Sequence, residues 1–124
     1  MPLYSLTSQV GTLDGAAKER LASQLTDLHA EYAGVPRNWV HIVFTDYPVG
    51  NGFTAGEPAP AIALTLLIRS GRSPDYKREL LKRLWQIVQA ATGAEDNQIV
   101  LAIQEGPASQ AMEMGITMPD VPES

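Results

Sequence analysis

A succession of strand, helix and strand occurs twice along this chain, and this repetition most constrains its fold. Alternating apolar and hydroxyl side chains predict a strand over residues 2–10, and apolar residues at helical spacing predict a helix over residues 13–33. A second strand is predicted over residues 39–45. About 60 residues further on the same order returns, with strands predicted over residues 61–69 and 98–104 around a second helix.

Both helices carry recognisable end signals. Ser73-Pro74-Asp75 offers a hydroxyl cap, a first-turn proline and an acid near the positive end of the helix dipole. Gly34 and Gly93 are expected to end the two helices, because glycine readily takes the left-handed conformation that follows a helix. Residues 54–60, which contain three Gly and Pro residues, are predicted to be a loop.

The chain is predicted to form one α+β domain over residues 1–124. Its two tandem β-α-β units span about residues 2–53 and 61–113, with a short turn of helix over 107–114 and an irregular tail after Gly115. A crossover helix makes the two strands of each unit parallel. Two units side by side then give a four-stranded sheet with two helices on one face. The other face would expose apolar positions, which predicts oligomerisation.

Composition argues against several classes of function. The net charge of −5 disfavours a nucleic-acid partner. No run approaches the roughly 18 apolar residues of a transmembrane helix, and no secretory signal is evident, so no membrane association and a cytoplasmic location are expected. Cysteine is absent, which excludes disulfides and thiol catalysis. His29 and His41 lack zinc-ligand spacing, and no metal is expected.

Pro2 is the first residue whose chemistry stands out. Methionine is normally removed when proline follows it, and removal of Met1 would leave Pro2 with a free secondary amine. A terminal amine titrates at about 7.7–8.0, and burial or nearby positive charge lowers its pKa further. Such an amine can accept and donate protons at physiological pH. With Met1 attached, the nitrogen of Pro2 is an amide and has no basicity.

Short motifs in a constant order connect the chain to a known family. They are Pro2-x-Tyr4, Thr26-Asp27-Leu28-His29, Pro48-x-Gly50-Asn51-x-Phe53, Arg69-x-x-Arg72-Ser73-x-Asp75 and Pro107-Ala108-x-Gln110-x-x-Glu113-x-Gly115. With these motifs the chain resembles the tautomerase superfamily, and within it most closely the cis-3-chloroacrylic acid dehalogenase group. The resemblance implies a homotrimer, catalysis without a cofactor and a small carboxylate substrate.

The resemblance also implies roles for five residues. Pro2 would be the acid/base, Arg69 and Arg72 would hold and polarise the substrate carboxylate, His29 would help to bind it, and Glu113 would activate water. Guanidinium groups suit this task because they pair with carboxylates in a fixed fork geometry. Without the resemblance, the two arginines and Glu113 would be interpreted as solvated, and His29 as a half-buried or solvated helix residue.

Two further positions, Ala102 and His41, need an interpretation beside this resemblance. The dehalogenase group places a tyrosine in the last long strand, near the water-activating glutamate, and counting back from Glu113 this chain has Ala102 there. Alanine has no hydroxyl to orient water, which weakens the case for hydrolytic dehalogenation. His41 alternates with apolar strand neighbours and is predicted to be structural.

The sequence therefore predicts a cofactor-free keto–enol tautomerase acting on a small 2-oxo or 2-hydroxy-dienoate acid. One alternative is a hydratase or hydrolytic dehalogenase of 3-haloacrylate-like unsaturated acids, in which Glu113 activates water. A second alternative is a catalytically silent oligomeric binding protein, which retention of Met1 would favour.

Overall fold

The computed structural model describes residues 1–122, which form a mixed β-sheet with two long helices and two small hairpins. The elements in chain order are β1 (Leu3–Gln9), α1 (Gly15–Ala33), β2 (His41–Tyr47), β3 (Phe53–Thr54), β4 (Glu57–Pro58), β5 (Ile62–Arg69), α2 (Pro74–Thr92), β6 (Ile99–Gly106), β7 (Met112–Glu113) and β8 (Ile116–Thr117). Short 3₁₀ turns precede β2, β6 and β7.

The four long strands lie in the order β2-β1-β5-β6. Strands β1 and β2 are parallel, β5 and β6 are parallel, and the central pair β1 and β5 is antiparallel. Each β-α-β unit is therefore parallel within itself, as a crossover helix requires, and the two units join edge to edge. The predicted fold, an α+β domain with two tandem β-α-β units and a four-stranded sheet, is confirmed.

The helix ends follow the predicted signals. Asp14 caps α1 by accepting a hydrogen bond from the Ala17 N–H at 2.8 Å, and Ser73 caps α2 by accepting from the Tyr76 N–H at 3.1 Å. Helix α1 begins at Gly15, two residues after the predicted start, because this cap lies at Asp14. Both helices end at a glycine in the left-handed conformation.

Three local predictions need correction. The second strand begins at His41 because residues 37–39 form a 3₁₀ turn. Residues 54–60 are not a plain loop, since β3 and β4 form a hairpin there. The region around Gly115 is not irregular either, because β7 pairs with β8. Each hairpin has a two-residue turn with both residues at positive φ, Ala55-Gly56 and Met114-Gly115, the backbone of the type I′ turn that matches strand twist.

One face of the sheet carries the core. Alternate side chains of the central strands point to it, and the apolar stripes of both helices pack against them. The residues of this cluster with almost no exposure include Tyr4, Leu6, Leu21, Leu25, Leu64, Leu66, Leu80, Leu84 and Val88. On the opposite face Val43, Ala63 and Val100 are exposed. Within residues 1–122, neither helix has the length and apolar character needed to cross a membrane.

Candidate active site

The start of β1 lies beside the end of β5 at one end of the sheet. Leu3 pairs with Leu67 across the antiparallel boundary, so the residues before Leu3 approach Arg69. The N–H of His41 donates to the Pro2 carbonyl at 3.1 Å, which holds the N-terminus against the neighbouring strand. The antiparallel centre of the sheet thus places the first residues of the chain beside the arginine that ends β5.

Met1 and Pro2 are both buried at this end of the sheet. Met1 is 9% exposed and Pro2 less than 2%. The ammonium of Met1 forms an ion pair with Oε2 of Glu113. Burial, and after it the positive charge of Arg69, lower the pKa of this amine from 8.0 to about 6. The site therefore contains an amine that changes its charge near neutral pH.

Glu113 reaches the amine from the β7–β8 hairpin, which folds back over the end of the sheet. Its Oε2 atom is fully shielded from solvent, and the Met1 ammonium is its partner there. Its other carboxylate oxygen, Oε1, lies 3.9 Å from Nε2 of His41. His41, for which the sequence predicts a structural role, has a side chain that is 58% exposed and stands beside Glu113. Only the tertiary position of the hairpin creates this pair.

Arg69 is a buried cation, with a side chain held from two sides. Its Nη1 atom donates to the Pro119 carbonyl at 2.6 Å, and its guanidinium lies 5.4 Å from the centre of a Trp39 ring. Burial, and then the neighbouring Arg72, lower the pKa of Arg69 from its ordinary value. The contact with Pro119 shows that the tail beyond β8 packs over the site.

Arg72 lies in the turn between β5 and α2, close to the positive end of the helix. Its guanidinium stacks 4.6 Å from the ring centre of Tyr76, and Nη2 donates to the Ala33 carbonyl at a long 3.4 Å. Arg69 and Arg72 border the same small cavity, which is about 10 Å³ in volume and is also lined by Met1 and His29. Met1 thus borders the small space beside the two guanidinium groups.

His29 lies on the buried stripe of α1, one helical turn after Leu25. It is 4% exposed, and its Nδ1 lies 2.6 Å from the hydroxyl of Tyr4. Burial, followed by the charges of Arg72, the N-terminus and Arg69, lowers the pKa of His29 from 6.5 to about 4. Burial raises the pKa of Tyr4. Both side chains are therefore neutral at physiological pH.

A larger groove opens on the other side of Met1. It has a volume of about 640 Å³ and runs between β1, the end of β5 and the β7–β8 hairpin, with Glu113 and His41 in its walls. Such a volume is typical of small-molecule sites. Ala102 lies on the exposed sheet face opposite Thr65 and is not among the described residues that line the groove.

All five residues singled out in the sequence, Pro2, His29, Arg69, Arg72 and Glu113, lie at this end of the sheet around Met1. A nitrogen base, two guanidinium groups and a carboxylate in one place can bind an anion and move a proton beside it. The roles of the individual residues stay predictions.

Comparison with known proteins assigns the family. A family model described as "Putative oxalocrotonate tautomerase enzyme" matches residues 1–124. The chain belongs to this tautomerase family. Its membership makes it an enzyme of the tautomerase or a related type, as the motifs indicated.

Solved structures agree with the tautomerase assignment. The chain is 34% identical to native Ps01740, with a TM-score of 0.86 over 90% of this chain and 99% of that one. It is 29% identical to N1, a member of the cis-3-chloroacrylic acid dehalogenase family, with a TM-score of 0.90 over 96% of this chain and 85% of that one. A fused 4-OT symmetric trimer, 23% identical, shares the fold with a TM-score of 0.82 over 93% of this chain and 94% of the other. No curated protein matched the sequence.

Among residues 1–122 of this tautomerase, no three His, Cys, Asp or Glu side chains are grouped to hold a metal ion. The expectation that the protein uses neither metal nor cofactor stays a prediction, as do the cytoplasmic location and the lack of a nucleic-acid partner.

Proposed function

We propose that the mature protein is a cofactor-free keto–enol tautomerase of a small 2-oxo or 2-hydroxy-dienoate acid, with Pro2 as its acid/base. The observation that carries this proposal is the buried N-terminus between Arg69 and Glu113. An amine in this position is close to groups that can hold a carboxylate. Burial and the charge of Arg69 disfavour the protonated form of an amine at this place.

Removal of Met1 is the first requirement of this mechanism. Met1 lines both the small cavity beside Arg72 and the larger groove. Its loss would turn the Pro2 nitrogen into a secondary amine and join the two spaces. The substrate would then occupy the place that Met1 occupies now.

The electrostatics of the Met1 amine support a basic role for Pro2. Burial and Arg69 lower the pKa of the Met1 amine to about 6, and the same surroundings would act on a Pro2 amine one residue further along. An amine with a lowered pKa is neutral, and so able to accept a proton, above that pKa. Activity should therefore fall as the pH drops through the lowered pKa of the Pro2 amine.

The guanidinium groups of Arg69 and Arg72 would hold the substrate carboxylate and stabilise the charge that develops on the enolate oxygen. Each donates one hydrogen bond to a carbonyl within residues 1–122, and a guanidinium group has five N–H donors in all. Neutral His29 would add a hydrogen bond. Pro2 would take the proton from the 2-hydroxyl group as the C2=O bond forms, and return it to the neighbouring carbon.

The decisive experiment compares chains with and without Met1. Intact mass measures the trimmed fraction, and the ultraviolet change of 2-hydroxymuconate or phenylenolpyruvate measures turnover. Activity should rise in proportion to the trimmed fraction, and Pro2→Ala should lower kcat by about a hundredfold or more. Unchanged turnover in Pro2→Ala would remove Pro2 from the mechanism. Full retention of Met1 in the native host would favour the silent binding protein.

Hydration or hydrolytic dehalogenation is the second candidate, and the position of Glu113 favours it. A carboxylate beside the base could activate water while Pro2 protonates the α-carbon. The similarity to N1 points the same way. Chloride or a hydrated product released from a 3-haloacrylate would support this candidate over tautomerisation. If Ala102→Tyr raised that activity, it would confirm the position assigned to the missing hydroxyl.

We also propose that the protein is a homotrimer. The sheet face opposite the helices has no cover within the described chain and carries small and apolar residues, among them Val43, Ala63 and Val100. A face of this kind normally packs against another surface. The fused 4-OT structure that shares the fold is a symmetric trimer.

A further inference from the structure

Tyr76 contacts Arg72 at the edge of the small cavity, although no motif in the sequence includes this tyrosine. Its ring centre lies 4.6 Å from the guanidinium carbon of Arg72, and both residues line the cavity that Arg69 and His29 also border. A guanidinium group packs well on an aromatic face, because the ring attracts its positive charge. The N–H donors lie in the plane of the guanidinium and point past the ring, so this contact leaves them available to a ligand.

Arg72 has little else to fix its direction within the described chain. Its Nη2 atom donates to the Ala33 carbonyl at 3.4 Å, which is a long and weak hydrogen bond. Among the salt bridges of residues 1–122, none includes Arg72. An arginine side chain has several rotatable bonds and samples many rotamers unless a contact restrains it. The face of Tyr76 is therefore the contact that chiefly orients this guanidinium.

Tyr76 is itself held firmly in the first turn of α2. Its N–H donates to the capping Ser73 at 3.1 Å, and its carbonyl accepts from the Tyr32 hydroxyl at 2.9 Å. The rings of Tyr32 and Tyr76 lie 4.7 Å apart, and both pack against the core. A ring with its backbone and side chain restrained in this way can serve as a fixed support for a flexible cation.

We infer that Tyr76 is a positioning residue, which holds Arg72 in the orientation that receives the substrate carboxylate. This inference rests on the proposed function and adds a residue to its site. The carboxylate keeps its charge throughout the reaction, so an anchor for it contributes similarly to the ground state and the transition state. Loss of the support should therefore raise KM more than it lowers kcat.

The test compares Tyr76→Leu with Tyr76→Phe, in protein shown by intact mass to lack Met1. Leucine keeps apolar packing without a ring, whereas phenylalanine keeps the ring. We expect Tyr76→Leu to raise KM for phenylenolpyruvate at least fivefold with kcat within threefold, and Tyr76→Phe to stay within twofold of the wild type in both. Trp85→Leu removes another half-buried ring from α2, about 14 Å further along the helix, and should keep the wild-type KM. Equal KM values in Tyr76→Leu and Tyr76→Phe would overturn the inference.

A binding measurement shows whether Tyr76 acts through Arg72 without the need for turnover. Crotonate has a carboxylate but no 2-oxo or 2-hydroxy group to tautomerise, and crotonamide is its neutral counterpart. In titrations followed by NMR, Tyr76→Leu should weaken crotonate binding at least fivefold and change crotonamide binding less than twofold. In an Arg72→Ala background the same substitution should change crotonate binding less than twofold, because no guanidinium remains to be positioned. An equal loss with and without Arg72 would overturn the inference.

The two measurements separate this inference from the proposed function. If neither phenylenolpyruvate nor 2-hydroxymuconate reacts but Tyr76→Leu selectively weakens crotonate binding, the proposed tautomerase activity fails while the positioning role holds. If turnover depends on Pro2 but crotonate binds equally to Tyr76→Leu and the wild type, the positioning role fails while the tautomerase activity holds.

Discussion

At the scale of single residues, the bond between Tyr4 and His29 connects the core to the candidate site. Tyr4 is completely buried in β1, and its hydroxyl lies 2.6 Å from Nδ1 of His29. When the phenol donates to Nδ1, the neutral imidazole carries its proton on Nε2. That N–H would then be available to the carboxylate that Arg72 is proposed to hold. In the proposed mechanism the tyrosine would thus be a positioning residue for the histidine.

Tyr4→Phe should separate this positioning role from plain stability. Loss of the hydroxyl leaves Nδ1 buried without its partner, which should lower the free energy of unfolding by about 1–2 kcal/mol and raise KM severalfold. Tyr47→Phe is the matched control, because the hydroxyl of Tyr47 donates to the Ala61 carbonyl at 2.6 Å at the far end of β2. The control should lose comparable stability without a change in KM. Equal KM effects in both variants would contradict the role of Tyr4.

His29 should also make stability depend on pH. Its pKa is about 4 in the folded protein and 6.5 when unperturbed, so between these values the unfolded chain binds a proton that the folded chain excludes. The free energy of unfolding should therefore fall as pH falls from 6.5 to 4, by about 3 kcal/mol from this residue. Urea unfolding of the wild type and His29→Gln across this range measures the difference. Parallel pH profiles would show that His29 is not held neutral by burial.

At the scale of elements, the two hairpins occupy corresponding positions in the two halves of the chain. Strands β3 and β4 follow the first β-α-β unit as β7 and β8 follow the second. Their turns have the same backbone conformation, with a non-glycine residue and then a glycine at positive φ. The second hairpin meets the buried N-terminus through Glu113. The first hairpin therefore serves as a structural control for the second hairpin, which carries Glu113.

Matched substitutions in these turns should reveal what the second hairpin does. Gly56 and Gly115 have φ values of +79° and +76°, and a Cβ at either position meets no atom within 4 Å. Valine at either position should therefore cost stability only through its backbone, by about 1–2 kcal/mol. Gly115→Val should in addition lower kcat/KM about tenfold, because it displaces Glu113 and one wall of the groove. Similar kcat/KM values in Gly56→Val and Gly115→Val would show that the second hairpin is dispensable for activity.

These elements also show which features the sequence can predict. Strands, helices and caps depend on local periodicity and on single residues such as Ser73, so their predicted bounds lie within a few residues of the observed ones. The approach of Pro2 to Arg69 follows from the sheet order. The hairpins escape prediction because Ala55 and Met114 rarely adopt positive φ, and because the glycines and prolines beside them favour a loop interpretation. The contact between His41 and Glu113 depends on where the hairpin folds back, which no local pattern encodes.

At the scale of the whole molecule, the sheet divides the protein into a packed side and an open side. The helices cover one face, and the opposite face exposes Val43 and Val100 at 55% and 63%. The candidate site lies at the end of the sheet, at the edge of both sides. Assembly through the open face would therefore change the surroundings of the site without altering the core.

Ala63→Lys tests the proposed assembly. Ala63 is exposed on central strand β5, so a lysine there costs little in a single protomer but would be buried without a partner in a trimer. We expect the variant to sediment at the 13.4 kDa of one chain and the wild type at three times that mass. Gln86→Lys, on the exposed side of α2, is the control and should remain trimeric. A wild type that sediments as one chain would refute the trimer, and a trimeric Ala63→Lys would place the interface elsewhere.

The burial of Met1 has a practical consequence for recombinant work. An affinity tag fused ahead of Met1 would have to enter a space that holds one side chain, and it would prevent the host aminopeptidase from exposing Pro2. The turn around Val49, which is 71% exposed and lies at the far end of β2, is the safer place to insert a label.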